Sequence, residues 1–151
     1  MVATLPALQA LPLAAWERDG LAAALHRAGL PVDDLREPGR HFWRFETAEF
    51  EPAGFGGLEI LGRDALLRSV VTLPPLRRRG IGAAIVASLE TEARLRHCGA
   101  LWLVTTSAAA FFERLGFATC DRAVVPEPVR ATRQFAELCP DSATVMMKRL
   151  A

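Results

Sequence analysis

The chain has no tyrosine, so no phenolic hydroxyl is available as a proton donor. It has three cysteines, Cys98, Cys120 and Cys139, far apart and without a CxxC pair. That spacing argues against a disulfide framework and a thiolate zinc site, and it suits a reducing cytoplasm. With three histidines in 151 residues, metal catalysis has little support and no metal site is expected. A dominant charge sign is missing as well: 18 Lys and Arg against 17 Asp and Glu leave a net +1. Such a balance speaks against nucleic acid or a membrane surface as partner, so any anion site must be local. No apolar run reaches the ~20 residues needed to cross a bilayer. The apolar stretch 5–16 has no positive residue ahead of it and is broken by Pro6 and Pro12, unlike a signal peptide.

What is present is an apolar half, 51% of the residues, enough for one compact domain over 1–151. Residues 8–11 read as a short strand, and 17–30 carry Leu21, Ala24, Leu25 and Ala28 at helical spacing before Gly29 and Pro31. Three sequential antiparallel strands follow at 41–47, 56–61 and 65–73, the last two joined by the turn Gly62-Arg63-Asp64. A helix from the basic turn at 77–82 to Gly99 comes next, with Ile81, Ile85, Leu89 and Ala93 on one face. Residues 100–105 read as a buried strand and 107–115 as a short helix with Ser107 as N-cap and Gly116 beyond its end. A strand at 117–121, a helix at 126–138 opened by Pro126 or Pro128, and a closing strand at 143–150 complete the chain.

The segment Arg77-Arg78-Arg79-Gly80-Ile81-Gly82 stands between a strand and the best amphipathic helix. A helix start presents unpaired N–H groups and partial positive charge, and glycine lets a phosphate come close to the backbone. Hydrogen bonds to a charged group contribute about 1.5–3 kcal/mol each, so a few such amides can anchor a pyrophosphate. The segment is not a P-loop, because it lacks the Gly-Lys-Ser/Thr ending, and it is not G-x-G-x-x-G. Three arginines in a solvated turn is the plainer alternative.

Residues 69–82, with 103–117 downstream, closely resemble the acetyl-CoA site of the GNAT N-acetyltransferases. The resemblance implies an α/β (α+β) fold with a mixed, twisted central sheet and flanking helices. Its strands 65–73 and 100–105 would splay into a V-shaped cleft for acetyl-CoA as cosubstrate. It further implies that the backbones of Val70 and Thr72 hold the pantetheine arm and the amides from Arg78 to Gly82 hold the pyrophosphate. Val71, Arg77, Arg78, Arg79, Gly80, Ile81, Gly82 and Phe112 are the remaining cofactor-side candidates. Gly57-Leu58-Glu59, residues 65–71, 103–106, 129–132 and 135–142 are similar to the arsenic-resistance N-acetyltransferases. Thr105-Thr106 and residues 111–117 are also similar to the acetyltransferase domain of N-acetylglutamate synthases. Both likenesses imply a small amino-acid-like amine as acceptor, an arsenic-containing or phosphinate amino acid in detoxification among them.

An amine must lose its proton before it attacks a thioester, and Glu59, inside the apolar run Gly-Leu-Glu-Ile, is the first candidate base, ahead of Glu46 and His41. An ion pair between Glu59 and an arginine across the sheet is the alternative. Many GNAT enzymes place a tyrosine after the splayed strand to protonate the leaving thiolate; here Phe112 holds that position. Solvent, the amine's own proton, Cys120 or Ser107 would then serve. Arg68 lies in an apolar strand, and period-2 alternation puts it on the face of Val70 and Thr72, where its fork could read a substrate acid group. Arg44, Ser69 and Thr106 join it as substrate-side candidates, and pairing of Arg68 with Glu59 or Glu46 is the competing reading. A non-catalytic CoA-binding module is the alternative function, and a homodimer is left open.

Overall fold

A computed structural model describes residues 5–35, 37–76, 80–138 and 142–150. Seven strands form one mixed sheet: β1 (Leu8–Pro12), β2 (Arg40–Thr47), β3 (Pro52–Leu61), β4 (Asp64–Thr72), β5 (Ala100–Thr105), β6 (Ala118–Thr119) and β7 (Thr144–Arg149). Their order is β1-β2-β3-β4-β5-β7-β6. Every neighbouring pair is antiparallel except β4 and β5, which run parallel. The helices are α1 (Arg18–Arg27), α2 (Ile81–Leu95), α3 (Ala109–Arg114) and α4 (Glu127–Arg130). The expected mixed sheet with flanking helices is therefore what the chain forms.

The two faces of the sheet bury different helices. On one, Ile81, Ile85, Leu89 and Ala93 of α2 pack with Leu58, Leu67, Leu101 and Met146 of the strands and with Phe112 and Phe117 from α3 and its exit. The other face carries two groups: Leu21, Ala24 and Leu25 of α1 against Phe42, Phe55 and Val71, and Val129 and Phe135 against Leu66, Trp102 and Val145. Burying a side chain of this size contributes roughly 1.5–3 kcal/mol, so α1 and α2 are held by these stripes rather than by caps, of which neither has a side-chain one.

Two expected helices are shorter than their sequence pattern. Ser107 is not an N-cap: α3 starts at Ala109, and the orphan Ala108 N–H is taken by Thr105 Oγ1 at 3.0 Å. The helix expected at 126–138 breaks into α4 and a wide turn at Gln134–Leu138. Both Val129 and Phe135 bury into one cluster, yet six residues of continuous helix would rotate them about 600°, onto different sides. At the break, Thr132 turns its hydroxyl to Val129 O at 2.7 Å and accepts from Phe135 N–H at 3.3 Å.

Candidate functional site

The site begins where β4 and β5 part. They pair only at Asp64–Ala100, Ala65–Leu101 and Leu66–Trp102, and beyond these residues the strands diverge. The divergence coincides with a fault in β4. Gly57 faces Arg68 and Phe55 faces Val71, so two steps on β3 span three on β4, and Ser69 sits at φ 60°. This is a β-bulge on a non-glycine residue in the left-handed region, a conformation that its surroundings must hold.

The bulge inverts the side-chain alternation and corrects the placement of Arg68. Strict period-2 alternation puts Arg68, Val70 and Thr72 on one face. With the extra residue, Arg68 falls on the α1 face over the Phe42 ring, Val71 joins it in the α1 cluster, and Val70 packs against the α2 cluster. The Arg68 side chain is 0% exposed, as is that of Asp34. Its Nη1 donates to Asp34 Oδ2 and to Glu59 Oε1 at 2.9 Å, its Nη2 to Asp34 Oδ1 at 2.6 Å, and its Nε to Ser69 Oγ at 3.1 Å. The fork expected to read a substrate acid is filled from within the protein. Glu59 is likewise committed, between Arg68 and Arg40, the latter at 3.8 Å. Burial pushes the Asp34 carboxyl up, but the Arg68 hydrogen bonds and the charges of Arg68 and Arg40 outweigh it and hold it below its ordinary value. Burial likewise opposes the Arg68 charge, and Asp34 and Glu59 reverse the effect, raising its pKa.

Beyond the bulge, a cavity of about 420 Å³ fills the gap between the strands. Leu67 to Val70 line it from β4, and Leu103 to Ala108 from β5 and the turn after it. Phe111 and Phe112 of α3, Gly29, Leu30, Pro31 and Asp33 from the loop after α1, and Gln134 complete the lining. Of the expected residues, Arg68, Ser69, Thr106, Val70 and Phe112 therefore come together, Arg68 with its fork turned to Asp34 and Glu59, and the alternative donor Ser107 is with them. Phe112 stacks edge-on with Phe111 and Phe117, at 5.0 and 5.5 Å between centroids.

Past Phe111, the cleft meets the start of α2. Gly80 is the N-cap at φ 75°, a left-handed conformation that glycine adopts without strain, and no side chain caps the helix. The first internal bond runs from Ala84 N–H to Gly80 O, so the amides of Ile81, Gly82 and Ala83 have no acceptor within the helix. A Cβ on Gly82 would lie 3.1 Å from Phe111 Cζ and 3.5 Å from Thr72 Oγ1, which places the turn, the end of β4 and α3 around one opening. Ile81 is core, 3% exposed. Arg77, Arg78 and Arg79 lie outside the described residues.

Other candidates stand away from the cavity. Arg44 pairs with Glu17 at 3.2 Å and with Glu46 at 3.8 Å on β2. His41 stacks near Trp43 at 6.4 Å, and Cys120 packs beside the Leu66 and Trp102 cluster. Burial and the neighbouring Asp121 charge push the Cys120 thiol up, away from the thiolate form. Cys139 lies outside the described residues. No group of three or more His, Cys, Asp and Glu side chains suited to a metal occurs among the described residues, and none of their helices is long and apolar enough to cross a membrane. Asp33 and Asp34, absent from the sequence candidates, sit where the chain leaves α1 and turns back into β2; adjacent acids after a Gly-Leu-Pro exit were the available signal.

Comparison with known proteins places these features in a family. The model of the Acetyltransferase (GNAT) family matches residues 5–117. The uncharacterized protein YyaT of Bacillus subtilis (strain 168) is 33% identical over 86 residues, 56% of this chain and 57% of its own length, so the alignment spans little more than half of that relative. Among solved structures, N-acetylglutamate synthase from Neisseria gonorrhoeae complexed with coenzyme A and N-acetyl-glutamate superposes with a TM-score of 0.77 at 17% identity, covering 99% of this chain and 36% of that one. Rv2747 from Mycobacterium tuberculosis in complex with CoA gives 0.73 at 20% identity over 97% and 100% of the two chains. A GNAT-family acetyltransferase from Staphylococcus aureus Mu50 gives 0.74 at 17% over 96% and 100%. At these identities the structural likeness is one of fold.

Proposed function

The chain belongs to the GNAT family of acetyltransferases, and from that premise we propose that it uses acetyl-CoA to acetylate the amine of a small amino-acid-like acceptor. One observation carries the reading: the gap between β4 and β5 opens onto the uncapped, glycine-led start of α2. The amides of Ile81, Gly82 and Ala83 hold the diphosphate, with the helix dipole adding to the attraction. The unpaired edge of β4 after Leu66 takes the amide-bearing arm of the cosubstrate, which brings the thioester to the bulge at Ser69 and Val70. An acceptor entering past Gly29 to Asp33 meets it there.

The protein's share of the catalysis is mainly orientation. Effective molarities for well-placed partners reach about 10⁵ M or more, enough to account for most of such a rate. The acceptor's proton passes to water at the open mouth, where Asp33 is the one carboxylate among the described lining residues. Glu59 is not the base in this account, because Arg68 and Arg40 occupy it. The chain has no phenol and no thiol is among the described lining residues, and with Phe112 by the leaving sulfur the thiolate departs and takes its proton from solvent. A thiol of pKa about 8.5 tolerates this. The buried Cys98 and half-buried Cys120 thiols, widely separated in sequence, support a reducing compartment such as the cytoplasm.

The test is release of free thiol from acetyl-CoA against a panel of amines. Arsenic-containing and phosphinate amino acids stand first, as the resemblance to arsenic-resistance enzymes suggests, with ordinary amino acids, their amides and simple amines beside them. Amine-dependent release with an N-acetylated product supports the proposal. Tight CoA binding with no release for any amine would favour a non-catalytic binding module instead.

A further inference from the structure

Arg68 does more than neutralise two carboxylates, because its partners belong to two separate segments of the cavity lining. Asp34 lies in the segment that follows α1 and supplies Gly29, Leu30, Pro31 and Asp33 to that lining; Ser69 is the bulge that β4 supplies. Ion pairs also lead outward from the same centre. Arg40 contacts Asp34 at 3.4 Å and Glu37 at 3.2 Å, and Glu37 takes Arg133 Nη1 at 2.6 Å, next to Gln134 of the cavity lining. A connected set of charges therefore joins the bulge, the loop after α1 and the 131–134 segment.

We propose that Arg68 is a positioning residue that clamps the acceptor-side loop to the β4 bulge and thereby sets the width of the acceptor end of the cleft. The inference rests on the acetyltransferase reading for its kinetic consequence, though not for its structural one. No hydrogen bond or ion pair of Arg68, Asp34 or Glu59 reaches α2 or α3 among the described residues, so the diphosphate end of the cleft stands apart from the clamp. Because the fork is spent internally, the acceptor is recognised by shape and by its amine, and Arg68 contributes no counter-charge to an acid group. Lysine at 68 would keep the charge but could not bond Asp34, Glu59 and Ser69 together from a single ammonium.

The experiment compares wild type with Arg68→Lys and with Arg133→Met, the latter removing the outer link to Glu37 from a residue outside the buried cluster and expected to fold whatever becomes of that cluster. Acceptor KM, turnover number and acetyl-CoA Kd are measured well below each melting temperature, with backbone hydrogen exchange followed in residues 29–35 and 68–71. The expected result for Arg68→Lys is acceptor KM raised about tenfold, acetyl-CoA Kd unchanged, and faster exchange in both segments together. Arg133→Met should show the same signature, about two- to threefold in KM. If Arg68→Lys does not fold, the Arg133→Met result decides. Unchanged acceptor KM and exchange in a folded variant would overturn the proposal. A rise in acceptor KM and acetyl-CoA Kd in parallel would also overturn it, since that marks general loosening. If wild type transfers no acetyl group, the exchange measurement still decides whether the clamp exists.

Discussion

Replacing Gly82 by tryptophan probes the proposed diphosphate site where α2, α3 and β4 come together. A Cβ there already comes within 3.1 Å of Phe111 Cζ and 3.4 Å of Cε1, with Thr72 Oγ1 at 3.5 Å, so any larger side chain projects into the opening between α2, α3 and β4. That is the path by which a diphosphate would reach the amides of residues 81–83. Losing two of these three bonds, at about 1.5–3 kcal/mol each, amounts to about 3–6 kcal/mol, or roughly 10² to 10⁴-fold in Kd. The fold should tolerate the change, because the position is in the first turn of α2 and its neighbour is a ring that can tilt. Alanine is the control: the helix gains about 1 kcal/mol of propensity over glycine, set against the tight contact with Phe111. Calorimetric titration with acetyl-CoA should show little change for Gly82→Ala and at least a hundredfold loss for Gly82→Trp, with melting temperatures within about 5 °C of wild type. A folded Gly82→Trp protein with wild-type affinity would refute the placement of the diphosphate.

Three further outcomes follow from the geometry. Gly54→Ala would put a Cβ 2.2 Å from Val71 O, a backbone atom, so chemical denaturation should show a loss of at least about 2 kcal/mol. Cys120→Ala should leave turnover within about twofold, the thiol being outside the cavity lining; a drop of about a hundredfold, some 2.7 kcal/mol, in a stable variant would identify it as the proton donor. Asp34, held below its ordinary value of 3.8, contributes stability that is complete above that pH and is lost as pH falls through the folded value. Acid titration should therefore show Asp34→Asn about 3 kcal/mol less stable at neutral pH and less sensitive to acid below that range than wild type.

How far the sequence disclosed the fold can be judged residue by residue. Residues 100–105 read as a strand and form β5 with those bounds, since a short apolar run between Gly99 and a Thr-Thr-Ser turn leaves few alternatives. The glycine-led turn before α2 was equally legible, because its requirement is local: Gly80 takes φ 75° and opens α2. Arg68 was visible as a charge in an apolar strand, but its direction was not. One bulged residue at Ser69 reverses alternation, and nothing in the string Leu-Arg-Ser-Val marks a left-handed serine. Asp34 was missed for a related reason: its partner is 34 positions away, and only the return of the chain over the sheet brings the two together. The break between α4 and Gln134 is again a tertiary effect, set by Val129 and Phe135 both seeking one cluster.

A structure of the protein crystallised with acetyl-CoA is the most direct measurement of the central claim. The diphosphate is expected within hydrogen-bonding distance of the Ile81, Gly82 and Ala83 amides, with the arm running between β4 and β5 and the thioester beside Ser69 and Val70. Acetyl-CoA bound elsewhere, with the cleft between β4 and β5 empty, would contradict it.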